Sequence, residues 1–198
     1  MSGIVLASTS PARAALLRAA GIAFDIEPAL VDEDAVKQSL LAERAAPRAI
    51  ADALATLKAI RVSQRRPDDV VIGADLVLEF EARLVSKSES LAAARALLLE
   101  LRGKRHALHC AAVLAKAGAP VWRHVERALL TMRDFSEVYL DGYLARHGEG
   151  LLSGVGCYRI EDEGIQLFDR IDGDYFAILG LPLLPLLNAL REHSLLAR

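Results

Sequence analysis

The chain has 198 residues, enough to bury a substantial core, and its 53% hydrophobic and 25% charged residues are typical of a globular protein. A formal net charge of −2 gives no general attraction to nucleic acid. The longest apolar run, at 177–187, is short and interrupted by prolines, and no basic segment followed by a long apolar stretch stands near the start. We therefore expect neither secretion nor membrane spanning.

The first predicted element is a strand at 3–7, which leads into the polar stretch of "LASTSPAR" and then into a helix. Ser10 is the predicted N-cap of this helix, Pro11 its first residue, and Gly21 the left-handed residue that ends it. Arg13 lies in the first turn, where a cation opposes the helix dipole. A bound anion would explain that placement, since N–H groups, hydroxyls and a guanidinium suit a phosphate. Plain helix capping is the alternative.

The remaining elements alternate along the chain. Helices are predicted at 34–43, 47–63, 89–101, 136–147 and 182–192, and strands at 70–80, 105–117, 121–133, 155–160, 165–171 and 175–179. "KAGAP" at 116–120 and "IDGD" at 171–174 predict tight turns, the second in a type I′ hairpin. The pattern indicates an α/β fold with a mixed β-sheet flanked by helices, in a single domain over 1–198.

Asp75 stands inside the apolar strand "VVIGADLVLEF", directly after two small residues. A buried carboxylate is costly unless it is paired, hydrogen-bonded or bound to a metal. One interpretation is an acid that closes a turn at the strand end, and the other is a functional acid.

Three further ions lie at the edges of predicted elements. Glu33 opens a helix, Lys58 lies beside the apolar stripe of the helix at 47–63, and Lys87 precedes the helix at 89–101. Each has a structural explanation: a favourable dipole interaction, a snorkelling side chain and a solvated loop residue. Together with Arg13 and Asp75, however, they supply what a metal-assisted triphosphate site needs.

The histidines and cysteines give weaker signals. His106 and His109 lie three apart on a predicted strand and so point to opposite faces, which makes them poor joint metal ligands. Cys110 and Cys157 show no CxxC pattern, so buried thiols in a reducing compartment are expected.

The order of "LASTSPAR", "VDED", "LATLKA", "IGADLVL", "SKS", "LRGKRH", "VGCYRIEDEG" and "RIDGDYFAILGLPL" resembles the Maf family of nucleoside triphosphate pyrophosphatases over nearly the whole chain. The resemblance implies a mixed sheet with flanking helices, two lobes around a central cleft, a cytoplasmic location and a homodimer. It also implies dependence on Mg²⁺ or Mn²⁺ and release of pyrophosphate from a nucleoside triphosphate.

The resemblance also assigns roles to residues. Asp75 corresponds to the proton acceptor, and Glu33 and Asp75 to the metal site. The substrate-binding positions correspond to Ser8, Ser10, Arg13, Lys58 and Lys87. Asp75 would orient and deprotonate a water for attack on the α-phosphorus.

The chain departs from the family pattern at several positions. Ala12 replaces the first of two adjacent arginines, Leu76 follows Asp75 where Thr or Gln is common, and Glu161-Asp162 replaces Gln-Gly. Ser88 replaces the proline that usually follows the lysine. The first three positions are linked to base selection in the branch that prefers dTTP and UTP, so we expect an altered substrate choice.

Two other functions are considered beside the enzyme. One is a regulatory protein that binds a nucleotide with little or no turnover, and the other is a structural partner that acts through its dimer surface. The acid and lysines argue against the first, and the polar stretch at 8–13 is unexplained by the second.

Overall fold

The computed structural model describes residues 2–197, within which the chain forms seven strands and seven α-helices. The strands are β1 (Ile4–Leu6), β2 (Asp25–Ile26), β3 (Val70–Phe80), β4 (Arg83–Val85), β5 (Arg105–Lys116), β6 (Ala119–Met132) and β7 (Phe168–Asp172). The helices are α1 (Pro11–Ala19), α2 (Glu33–Ala42), α3 (Pro47–Ser63), α4 (Leu91–Leu101), α5 (Glu137–His147), α6 (Tyr175–Ile178) and α7 (Leu183–Glu192). Gly148–Ser153 and Glu163–Leu167 are 3₁₀ turns. None of the helices in this part of the chain is long and apolar enough to cross a membrane.

The strands form one mixed sheet in the order β2-β1-β3-β5-β6-β7, with β4 paired to β3. Strand β1 runs parallel to β2 and to β3, whereas the β3/β4 and β6/β7 pairs are antiparallel. The predicted α/β class with a mixed sheet is confirmed.

The chain divides into two compact units. The first takes the described residues of Met1–Leu76, His109–Glu126 and Asp174–Arg198, and the second takes Val77–Leu108 and Arg127–Gly173. Strands β3, β5 and β6 each contribute residues to both units. The single domain over 1–198 stays a prediction.

The core of the first unit has two layers because β1 and β3 are covered on both faces. Ile4 and Leu6 of β1 pack in one cluster with residues of α1 and α7, and Val5 lies in a second cluster with Val62 of α3. Side chains alternate between the two faces of a strand, so a strand covered on both sides reads as a continuous apolar run. This explains the sequences "IVLA" and "VVIGA".

Six predicted helices are present, with ends within two residues of the prediction, and α3 matches it at both ends. Ser10 caps α1 by accepting a hydrogen bond from the Arg13 backbone N–H, and Gly21 after the helix has a φ of +73°. The turn at 116–120 joins β5 to β6, with positive φ at both Ala117 and Gly118 as a type I′ turn requires.

The predicted hairpin at 171–174 is wrong, as is the strand at 175–179. Gly173 lies against β6, where an added Cβ would be 2.5 Å from that of Ala128, and the chain then enters α6. The Asp174 carboxylate accepts a hydrogen bond from the Ala177 N–H and so caps this helix. In this segment Gly173 therefore allows a close approach to β6, and Asp174 is the N-cap of α6.

The strand predicted at 155–160 is also wrong, because these residues form turns. Cys157 has a φ of +55°, and an added Cβ at Gly156 would be 2.2 Å from the Tyr158 ring, so this backbone is folded back on itself. The strand predicted at 165–171 begins only at Phe168, since Glu163–Leu167 is a 3₁₀ turn. The short strands β2 and β4 were not predicted.

Candidate functional site

The turn between β1 and α1 holds two of the proposed site residues, Ser8 and Ser10, and a third, Arg13, lies in the first turn of α1. β1 ends at Leu6, and the Ala7 N–H donates to the Ile72 carbonyl of β3, so the next residue, Ser8, starts at the carboxyl edge of two parallel strands. Ligands of α/β proteins bind at this edge of a parallel sheet. Ser8 is buried, and its Oγ accepts a hydrogen bond from the Ser10 N–H at 3.2 Å.

The Arg13 guanidinium is held in place by two acceptors. Its Nη1 donates to Ser8 Oγ at 3.1 Å, and its Nε donates to the Gly180 carbonyl at 2.8 Å. Of the five N–H groups on a guanidinium, three have no partner among residues 2–197. Arg13 therefore presents free donors in a fixed orientation beside the capped N-terminus of α1, an arrangement that suits an anion.

Close packing of α3 on β3 determines where Lys58 lies. A Cβ at Gly73 would be 2.2 Å from the Ala55 carbonyl oxygen and 2.7 Å from the Ala59 nitrogen, so only glycine allows the helix backbone to come this near. Asp75 is two residues further along the strand and so points to the same face, towards α3. Lys58, within the same helical turn as Ala55 and Ala59, meets it there.

Lys58 bridges two carboxylates. Its Nζ lies 2.7 Å from Asp75 Oδ1 and 2.9 Å from Glu33 Oε1, at the first residue of α2. The Lys58 and Asp75 side chains are only 8% and 7% exposed, whereas that of Glu33 is 41% exposed. Asp75 Oδ2 is buried and has no hydrogen-bond partner among the described residues. One oxygen of this buried acid is thus available to another group.

The pKa of Glu33 is affected by both its burial and the cations near it. Burial alone would raise this pKa, but the charge and hydrogen bond of Lys58, with the charges of Lys37 and Arg13, lower it below its ordinary value. Six of the proposed residues belong to the first unit, where Ser8, Ser10 and Arg13 contact one another at the start of α1 and Lys58 joins Glu33 to Asp75.

Lys87 belongs to the second unit, where it is exposed between β4 and α4. Its proposed role in binding phosphate stays a prediction. The residue after it, Ser88, accepts a hydrogen bond from Cys157 Sγ at 3.2 Å within the same unit.

The two carboxylates suit a hard divalent cation. Mg²⁺ and Mn²⁺ prefer oxygen ligands, and Mg²⁺ sites typically use one or two carboxylates together with substrate phosphates. Asp75 Oδ2, buried without a partner among the described residues, is an oxygen of this kind, and Glu33 contacts the same ammonium as Asp75. Within residues 2–197 no group of three or more His, Cys, Asp or Glu side chains could hold a metal by itself. The site fits a cation that takes some of its ligands from these carboxylates and the others from the phosphates of a substrate.

The cysteines and His106 have structural environments. Burial raises the pKa of Cys110 to about 12, and it also raises that of Cys157, which hydrogen bonds to Ser88 oppose. Neither thiol is activated as a nucleophile. His106 is buried, and its Nε2 lies 2.8 Å from the Tyr158 hydroxyl.

Two of the residues that depart from the family pattern, Glu161 and Asp162, have local partners. Leu76 is half-buried on β3 next to Asp75. In the second unit, Glu161 pairs with Arg159 at 3.2 Å, and Asp162 Oδ1 accepts a hydrogen bond from the Glu163 N–H at 2.7 Å. Both acids are exposed.

Sequence reasoning missed Gly180. The residue lies in "AILGLPL", which was recognised only as part of a motif, and its contribution to the site is a main-chain oxygen. A main-chain carbonyl acceptor of this kind cannot be recognised from a pattern of side chains in the sequence.

Comparison with known proteins identifies the family of this chain. Residues 3–193 match the model of the family described as Maf-like protein, and the chain belongs to that family. It is 55% identical over 196 residues to a nucleoside triphosphate pyrophosphatase of Caulobacter vibrioides, covering 99% of this chain and 98% of that protein. A nucleoside triphosphate pyrophosphatase of Granulibacter bethesdensis is also 55% identical, over 98% of each chain. A 7-methyl-GTP pyrophosphatase of Brucella abortus is 48% identical, over 96% of each. The resemblance to the Maf family is confirmed.

Proposed function

We propose that this protein hydrolyses nucleoside triphosphates to the nucleoside monophosphate and pyrophosphate. The observation that carries the proposal is the buried Asp75, whose Oδ1 is held by Lys58 while its Oδ2 is left without a partner. An acid fixed in this way can accept a proton from a water molecule. The relatives named as pyrophosphatases, which match this chain along nearly its whole length, support the same reaction.

Substrate binding falls to the groups around the β1/α1 turn. The three free N–H groups of Arg13 and the N-terminus of α1 donate to triphosphate oxygens, and Ser8 holds the guanidinium in the orientation that this requires. Lys58 and Lys87 add positive charge. These groups stabilise the negative charge on the phosphates as the bond breaks.

The chemical step is an in-line displacement. Asp75 orients a water molecule and takes its proton, the water oxygen bonds to the α-phosphorus, and the bond to the bridging oxygen of pyrophosphate breaks. A Mg²⁺ or Mn²⁺ ion bound by Asp75 and Glu33 would supply positive charge to the phosphate oxygens. Lys58 keeps both carboxylates in place between α2, α3 and β3.

The experiment that tests this function measures products from a panel of nucleoside triphosphates with Mg²⁺ or Mn²⁺. We expect equal amounts of pyrophosphate and monophosphate. Release of orthophosphate and a diphosphate would contradict attack at the α-phosphorus. Nucleotide binding without any product would favour the regulatory alternative instead, and the absence of both would favour a structural role.

The proposed base preference rests on the positions at which the chain departs from the family pattern. The Leu76 side chain offers no hydrogen bond, and the acids Glu161 and Asp162 stand where the dTTP- and UTP-selective branch has an amide and a glycine. A site that has lost its polar partners for a base loses discrimination of up to about 10⁴-fold. We therefore propose that dTTP and UTP are not strongly preferred and that a larger or modified base is accepted. The 7-methyl-GTP pyrophosphatase among the relatives is consistent with this.

Competition among dTTP, UTP, GTP, 7-methyl-GTP and CTP tests the base preference. A clear preference for dTTP and UTP over every other nucleotide would contradict it.

The cytoplasmic location and the homodimer also stay proposals. Two buried free thiols support a reducing compartment, and light scattering on the purified protein would determine the oligomeric state.

A further inference from the structure

The Gly180 carbonyl lies at a rigid point of the first unit. Gly180 follows α6, and its N–H donates to the Ala177 carbonyl at 3.0 Å. The next N–H, that of Leu181, donates to the Phe176 carbonyl at 3.1 Å, and the Leu181 side chain is fully buried. The peptide group that contains the Gly180 carbonyl and the peptide group before it are thus both hydrogen-bonded, so the direction of this carbonyl is fixed.

This carbonyl and the Ser8 hydroxyl hold two different nitrogens of one planar group. Arg13 Nε donates to the Gly180 carbonyl, and Arg13 Nη1 donates to Ser8 Oγ. Because the guanidinium is rigid and planar, two bonds to different nitrogens determine its orientation. The three N–H groups that remain point where these two bonds place them.

We propose that Gly180 is a positioning residue for Arg13, and that its carbonyl orients the guanidinium before the substrate arrives. This inference rests on the proposed function, in which Arg13 binds the triphosphate. Orientation in advance favours binding, because the free enzyme has already lost the side-chain freedom that binding would otherwise remove.

A side chain at position 180 would disturb this arrangement in two ways. Gly180 has a φ of +105°, a conformation that L residues rarely adopt. An added Cβ would also lie 3.3 Å from Arg13 Nε and 3.7 Å from Arg13 Cγ, so the arginine would have to shift. The second effect is specific to the site, and the first is not.

Gly21 provides a matched control for the backbone effect. Its φ is +73°, and an added Cβ would meet nothing within 4 Å. Gly180→Ala and Gly21→Ala therefore both place alanine at a positive φ, but only the first contacts Arg13. We expect both variants to melt at lower temperature than the wild type, and only Gly180→Ala to raise KM for the triphosphate, by about tenfold or more. Pyrophosphate binding, measured by calorimetry, should weaken to a similar extent.

A double variant separates positioning from a general structural effect. Lysine keeps the charge of Arg13 but has no Nε–H and no planar fork. If Gly180 acts through Arg13, then Gly180→Ala should raise KM much less in the Arg13→Lys background than in the wild type. Equal effects in the two backgrounds, or a KM for Gly180→Ala that matches Gly21→Ala, would overturn the proposal.

A measurement on the wild type keeps the proposal testable if Gly180→Ala does not fold. The ¹⁵N resonance of Arg13 Nε–H, assigned by its loss in Arg13→Lys, should show slowed hydrogen exchange in the substrate-free protein. Exchange as fast as that of exposed arginines would overturn it. A wild type that releases no pyrophosphate would instead contradict the proposed function, while the exchange measurement would still decide on Gly180.

Discussion

Replacement of Lys58 by Met should strongly destabilise the protein. Methionine matches the length and flexibility of the lysine stem but removes the charge between Asp75 and Glu33. The Asp75 carboxylate would then have no partner at either oxygen, since Oδ2 already has none. Removal of one member of a buried ion pair costs about 3–5 kcal/mol, a large part of the total stability of a typical domain. The contribution of Glu33 is small because its side chain is 41% exposed.

The loss should depend on pH in a defined direction. The pKa of Glu33 lies below its ordinary value of 4.5 in the folded protein, with Lys58 as its main attractive partner. The stability that this pair contributes is therefore present above pH 4.5 and is lost as the pH falls through the folded value. Lys58→Met lacks this ion pair. The difference in the free energy of unfolding between the wild type and the variant should therefore become smaller as the pH falls through that range.

Urea unfolding, followed by circular dichroism at neutral pH and in steps below pH 4.5, measures both effects. Lys87→Met is the matched control, because Lys87 is exposed and a surface change of this kind alters stability by less than about 0.5 kcal/mol. A Lys58→Met protein within about 1 kcal/mol of the wild type at neutral pH would refute the reasoning, since it would mean that the Asp75 charge needs no partner.

Three further predictions concern packing, titration and phosphate binding. Gly73→Ala should lower the free energy of unfolding in urea by about 1–3 kcal/mol, because the added Cβ would collide with the backbone of α3. Gly150→Ala is the control and should be tolerated, since an added Cβ there meets nothing within 4 Å. Equal effects of the two substitutions would contradict the close packing of α3 on β3. Burial lowers the pKa of His106 from 6.5 to about 4. The free energy of unfolding should therefore fall as the pH drops from 6.5 towards 4, and His106→Gln should reduce this fall by on the order of 3 kcal/mol. The same pH dependence of stability in His106→Gln and in the wild type would contradict this prediction. Arg13→Ala and Lys87→Ala should weaken handling of every triphosphate alike, and a changed ranking of bases with intact triphosphate affinity would contradict their assignment.

Local sequence rules predicted the elements that hold the site. Ser10 and Pro11 gave the start of α1, and the apolar spacing of 47–63 gave α3 at both ends. These signals act within a few residues, so they can be recognised without knowledge of the fold.

The contacts between elements could not be predicted in this way. Each of Glu33, Lys58 and Asp75 has an acceptable local explanation, and only the folded chain shows that one ammonium joins the two acids. The family resemblance supplied the set of residues but not this arrangement.

The errors have a related physical origin. Helix α6 has four residues, fewer than a hydrophobic period can reveal, and its only local signal was the Asp174 cap. The segment at 155–160 is apolar enough for a strand, but the Tyr158 ring covers Gly156 and Cys157 takes a positive φ. Tertiary packing overrides the pattern there.

The role of Asp75 is tested most directly by pyrophosphate release from Asp75→Asn. Asparagine keeps the size of the side chain and an oxygen for Lys58, but it cannot accept a proton from water at neutral pH. With saturating Mg²⁺ or Mn²⁺ and a fold verified by circular dichroism, turnover should fall by about 10²–10⁴-fold. Pyrophosphate release near the wild-type rate would show that Asp75 is a structural acid and would contradict the proposed mechanism.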